Sequence, residues 1–226
     1  MQNNSISGRI LEGSRALWDG FNAHPFVMGI AKGTLSLEQF KYFMIQDYLY
    51  LMEYAKVFAI GSAKTDDEHI AKAFTEYVSN IQNGELDVHR GYMERLGISL
   101  NDVLKEKQAQ DNLSYTSYMI RIAYECGPAE ICAAILPCAV SYEHIAAKMI
   151  KDDPKCVDHP FFGDWIKSYS SNGYHIENKE LIELTDRAAK GYNEEQILRL
   201  VEIGKRCSCY EKLFWDMSWE MRKAPC

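Results

Sequence analysis

Apolar residues recur at helical spacing along almost the whole chain, and no stretch alternates well enough to predict a strand. That period predicts an all-α protein. Helices are expected over residues 9–21, from His24-Pro25 to a break at Gly33-Thr34, and from the capping box Ser36-Leu37-Glu38-Gln39 to about Ala63. A second cap signature over residues 65–68 opens a helix running to about Leu96, before Gly97, and Ser99 starts a short turn. Further helices are expected over residues 113–125, 129–151, 161–170, 176–189 and 194–221. Pro137 lies inside one of them, so a kink is expected just before Cys138. With 226 residues, six prolines and neither a linker nor a repeat, the chain reads as one helical domain over 1–226.

Charge and punctuation exclude several classes of function. Twenty-five basic residues against 32 acidic ones give a formal charge of −7, with no basic patch to offset it. Such a surface repels phosphate backbones and anionic membranes, so no nucleic-acid or membrane partner is expected. No apolar run reads as long enough to cross a bilayer, and the polar start over residues 1–8 has no signal-peptide core, which predicts a cytoplasmic protein. Seven cysteines, mostly within helical patterns, point to reduced thiols, and Cys207, Cys209 and Cys226 form no pair of metal-binding knuckles. A di-iron bundle would need Glu-x-x-His motifs, yet no histidine has a glutamate three residues before it. His24 could suggest a haem ligand, but His-Pro at a helix start is more commonly a cap. There is no glycine-rich phosphate loop and no dinucleotide fingerprint. Neither metal nor cofactor is expected.

A few residues stand out against this background. Cys138 precedes Tyr142 by four, which puts thiol and phenol on one inward helix face. Asp47 shares the buried face of Met44 and Leu51, where a carboxylate needs a partner or a proton. Glu211 lies four residues after Cys207 and three before Phe214, again on an apolar stripe. Each has a structural reading: a core thiol, a helix-to-helix ion pair, and a helix acid paired with Lys212 or Arg206. Together they point to a pocket for covalent catalysis. Fourteen tyrosines against nine phenylalanines bring many hydroxyls near an interior, as a polar aromatic ligand would require. Tyr50, Tyr54, Tyr115, Tyr118, Tyr142, Tyr169, Phe214 and Trp215 are the rings available.

Gln46-Asp47-Tyr48-Leu49-Tyr50, Leu113-Ser114-Tyr115, Leu136-Pro137-Cys138 with Tyr142, Trp165-Ile166-Lys167-Ser168-Tyr169 and Glu211-Lys212-Leu213-Phe214-Trp215 resemble the TenA/thiaminase II family, in order and across nearly the whole chain. The resemblance implies a haem-oxygenase-like helical fold without haem, usually assembled as a homotetramer. It implies hydrolysis of 4-amino-5-aminomethyl-2-methylpyrimidine to the 5-hydroxymethyl compound in thiamin salvage, and cleavage of thiamin at the same methylene. Cys138 would be the nucleophile and Glu211 the proton shuttle. Asp47 would accept from the 4-amino group, and Tyr50, Tyr115, Tyr142, Tyr169 and Phe214 would bind the ring. The Leu-Pro-Cys triplet places the chain with the cysteine-bearing branch. Two rival expectations are a haem- or oxygen-dependent oxidoreductase on the same fold, and a non-catalytic pyrimidine-binding or regulatory protein.

Overall fold

A computed structural model describes residues 5–224; Cys226 and the first half of the polar start lie outside the described residues. In chain order the helices are α1 (Ile6–Phe21), α2 (Pro25–Ala31), α3 (Leu37–Ala63) and α4 (Glu68–Asn80), followed by a π-helical turn (Ile81–Glu85). Then come α5 (Leu86–Arg95), α6 (Leu100–Val103), α7 (Gln110–Glu125), α8 (Pro128–Asp152) and a 3₁₀ turn (Pro154–Asp158). Helices α9 (Gly163–Tyr169), α10 (Asn172–Ala188) and α11 (Glu194–Glu220) complete the described chain, which contains no strand. The start signals act as the sequence predicts at two helices. His24 Nδ1 accepts from the Phe26 amide at 3.2 Å, and Ser36 Oγ accepts from the Gln39 amide at 3.2 Å. At α4 the cap is Asp67, which receives the amides of His69 and Ile70.

The largest departure from the sequence reading lies after α4. The sequence predicts a single helix to about Leu96; instead a π turn interrupts it. The apolar pattern explains the interruption. Ile70, Phe74 and Ile81 keep helical spacing, but the next inward residue is Leu86, five positions on, followed by His89 and Met93. One residue too many separates the two stripes. A wider turn absorbs it, so that Leu86, His89, Tyr92 and Met93 stay buried.

Two compact units emerge. The first comprises the residues through Leu35 together with Cys132–Trp215. Inside it Trp18 Nε1 donates to Ser208 Oγ at 3.1 Å, a buried bond between α1 and α11. Phe26 packs on Trp215 with ring centroids 5.6 Å apart. Gly204 on α11 lets three elements approach closely: a Cβ there would lie 2.5 Å from Ile10, 3.4 Å from the Ala133 carbonyl and 3.5 Å from the Pro137 ring. Ile10 is fully buried, so the close contact falls inside the core. Gly204→Ala should therefore cost about 1–3 kcal/mol through overpacking, despite the better helix propensity of alanine. Urea unfolding of the two proteins measures it; an unchanged midpoint would mean that α11 does not need this close approach.

The second unit comprises Ser36–Ile131 and the residues from Asp216 on. Gln46 knits α3 to the segment entering α7. Its side chain accepts from the Ala109 amide at 2.9 Å and donates to the Lys107 carbonyl at 3.0 Å, while Asn112 Nδ2 donates to the Gln46 carbonyl at 2.7 Å. Buried amides satisfied this fully fix the rotation of α3 about its axis at the position next to Asp47. Tyr54, Phe58 and Phe74 continue the core by edge contacts at 5.0 and 5.9 Å.

Against the sequence expectation, one helix among the described residues, α8, is long and apolar enough by length and composition to cross a membrane. Of its most apolar window 78 % is buried inside the protein, so the composition is that of a core helix.

Candidate active site

In the first unit Cys138 follows Pro137 on α8 and its side chain is half-buried. Proline removes from the α8 ladder the amide that would donate to the Ala133 carbonyl. Ser141 Oγ donates to the Cys138 carbonyl at 3.1 Å, and Tyr174 from α10 donates its hydroxyl to the Ala139 carbonyl at 3.0 Å. One turn beyond the thiol, buried Tyr142 meets Tyr169 at 4.8 Å, Trp215 at 5.2 Å and Trp165 at 5.9 Å between ring centroids. Tyr169 in turn meets Tyr174 edge-on at 5.2 Å. The expected phenols Tyr142 and Tyr169 are thus brought together, with two tryptophans forming the same aromatic wall.

Glu211 and Phe214 lie on α11, both 2 % exposed, so the glutamate is a buried acid rather than a surface one. Its charge is felt at Cys207, one turn earlier, whose thiol is pushed well above its ordinary range by burial first and by Glu211 second. Cys132 is likewise fully buried and its thiol is pushed up to about 12 by burial. Both stay protonated thiols at neutral pH and are inert. Cys138 differs from them in being open enough to meet a ligand. None of the six cysteines among the described residues forms a disulfide.

In the second unit Asp47 on α3 is buried and pairs with His89 on α5, Oδ2 to Nε2 at 2.6 Å. His89 Nδ1 lies 2.8 Å from the carbonyl of Glu85, the last residue of the π turn. A carbonyl only accepts, so Nδ1 carries a proton, and Nε2 remains to face the carboxylate. Burial opposes a charged ring, but the hydrogen bond and charge of Asp47, helped by Glu85, outweigh it and raise the His89 pKa. Tyr50 follows Asp47 on α3 and meets Tyr115 of α7 at 5.2 Å and Tyr54 at 5.3 Å. Its hydroxyl lies 3.8 Å from Met119 Sδ. Tyr118, also on α7, lies under the Arg121 guanidinium at 5.7 Å.

His89 is the residue that sequence reading missed. The signal was available: it sits between Leu86 and Met93 on an inward stripe, the criterion that singled out Asp47. Its link to Asp47 is long-range and left no mark in local spacing. Among the described residues no three His, Cys, Asp or Glu side chains are placed to hold a metal ion.

Known proteins resemble this chain along nearly its whole length. The sequence model of the TENA/THI-4/PQQC family matches residues 12–221. An aminopyrimidine aminohydrolase from Halalkalibacterium halodurans is 38 % identical over 96 % of this chain and 97 % of its own length. One from Helicobacter pylori is 36 % identical over 95 % of this chain and 99 % of its own. The solved structure of a TenA homologue from P. horikoshii superposes with a TM-score of 0.86 at 29 % identity, covering 96 % of this chain and 99 % of that one. A Shewanella denitrificans domain described as having a heme oxygenase-like fold shares the architecture, with a TM-score of 0.73 at 15 % identity over 93 % of this chain and 90 % of its own.

Proposed function

The chain belongs to the TENA/THI-4/PQQC family, and on that premise we propose that it hydrolyses 4-amino-5-aminomethyl-2-methylpyrimidine to the 5-hydroxymethyl compound, and can cleave thiamin to the same product and its thiazole. The observation that carries the reading is near-full-length similarity, at 38 and 36 % identity, to two proteins named for aminopyrimidine hydrolysis. Homotetrameric assembly, as the resemblance implies, belongs to the same proposal.

The chemistry gives each residue a task. Water does not readily displace an amine from a methylene on an intact aromatic ring. Addition of the Cys138 thiolate to ring carbon 6 breaks the aromaticity and leaves N1 protonated. The lone pair of the 4-amino nitrogen then drives electrons through carbons 4 and 5 and expels the leaving group, as ammonia from the protonated amine or as neutral thiazole. Water adds to the exocyclic methylene so formed, its proton is removed, and loss of the thiolate together with the N1 proton restores the neutral aromatic ring. Glu211 would move protons among the thiol, the ring, the leaving group and the incoming water. Asp47 would hold the amidine-like edge of the bound ring, its carboxylate accepting from the 4-amino group. The aromatic rings named above suit a flat, polar heterocycle.

The test is to incubate the purified protein with the aminopyrimidine, and separately with thiamin, and follow hydroxymethylpyrimidine by chromatography. We expect release from both, faster from the aminopyrimidine. Folded protein that produces none from either substrate would overturn the assignment.

A further inference from the structure

Asp47 has two carboxylate oxygens, and the structure treats them differently. Oδ2 is engaged by His89 Nε2 at 2.6 Å, whereas Oδ1 takes no hydrogen bond from the described residues. The imidazole is itself locked: Nδ1 donates to the Glu85 carbonyl at 2.8 Å, so the ring cannot flip without losing that bond. Both side chains are almost completely shielded from solvent. The π turn places this lock, because it brings the inward stripe of α5 back into step at Leu86 and His89 and ends at Glu85 itself.

We infer that His89 is a positioning residue for the hydrolysis: it fixes Asp47 through Oδ2 and leaves Oδ1 to accept from the amidine edge of the substrate. The inference rests on the assignment of Asp47 to that edge. Three consequences of the geometry support it. A ring with Nδ1 already donating can offer Nε2–H to the carboxylate only as an imidazolium, so the dyad brings the counter-charge that keeps a buried acid an acceptor. A carboxylate tethered at one oxygen has a single rotamer, so its free oxygen is pre-aimed and loses little freedom when a ligand arrives. The facing charges agree: Asp47 on α3 and Glu85 on the π turn surround the imidazole, while Arg90 on its own helix is occupied by Asp87 at the surface.

The experiment has a kinetic and a spectroscopic arm. His89→Leu removes the donor, and His89→Gln places an amide N–H where Nε2 stood. With the aminopyrimidine as substrate, His89→Leu should raise KM about 10–100-fold, the size of one charge-assisted hydrogen bond, with a smaller change in kcat. His89→Gln should recover most of that loss. Both variants melting at lower temperature with KM unchanged would make His89 a purely structural residue and overturn the inference. If His89→Leu does not fold, the glutamine variant and the second arm decide. Nitrogen-15 spectra of the substrate-free wild-type protein should show both His89 ring nitrogens protonated at neutral pH, and Asp47→Asn should convert the ring to the neutral form protonated at Nδ1. A neutral His89 in the wild type would overturn the inference. Because those spectra need no turnover, a protein inactive on both pyrimidines but with a doubly protonated His89 would fail the functional reading and leave the dyad standing.

Discussion

Replacing Cys138 with alanine or serine should abolish turnover of both the aminopyrimidine and thiamin, by about three orders of magnitude or more, while leaving the fold intact. The size of the effect follows from the chemistry. Without a nucleophile at carbon 6 the ring stays aromatic, and the leaving group has no electron pair to push it out. Serine keeps the shape but not the reactivity, because an alkoxide is formed at much greater cost than a thiolate and is a harder nucleophile. The fold should survive because the side chain is half-buried, and trimming it removes little apolar contact. Cys207→Ala is the matched control: its thiol is fully buried and held protonated, so this variant should lose some stability and keep its chemistry. Rates from the chromatographic assay, alongside thermal melts, measure both halves of the expectation. A Cys138→Ser enzyme retaining a tenth of wild-type activity would remove Cys138 from the mechanism.

The same residues show how much of this molecule could be read in its sequence. Helices announce themselves through local chemistry: the Ser36 hydroxyl on the Gln39 amide and the His24 ring on the Phe26 amide are short-range bonds written into consecutive letters. Asp47 and Glu211 were legible as inward acids because burial follows the helical period, and both prove buried. The π turn was hidden because a slip of one residue, Ile81 to Leu86, looks like noise until the inward face is seen on both sides of it. What Asp47 faces was hidden for a deeper reason. His89 lies 42 positions away along the chain, and only packing of α5 on α3 decides which polar group meets the carboxylate. The aromatic wall behaves in the same way. Tyr142 was placed inward by its spacing from Cys138, yet its neighbours Trp165, Tyr169 and Trp215 come from α9 and α11.

Glu211→Gln should be the second most damaging substitution, lowering kcat for both substrates by about 10²–10⁴-fold, the usual worth of a positioned general acid–base. Glutamine preserves the volume and the hydrogen-bonding reach of the side chain, so packing on α11 should not change much. What it cannot do is take a proton from the thiol or the attacking water, or return one to the ring. The loss should therefore fall mainly on kcat, with KM little altered, and the limb of the pH–rate profile that belongs to the glutamate should disappear. The position also offers a readout that needs no substrate. Burial, then the Glu211 charge, hold the Cys207 thiol protonated, so neutralising Glu211 should bring the Cys207 pKa down part of the way while burial keeps it high. Thiol titration of the glutamine variant would register that change even in an inactive enzyme. If kcat and its pH limb both survive while the Cys207 titration shifts as expected, Glu211 is a buried charge with no part in proton transfer, and the shuttle must be sought among the other groups around Cys138.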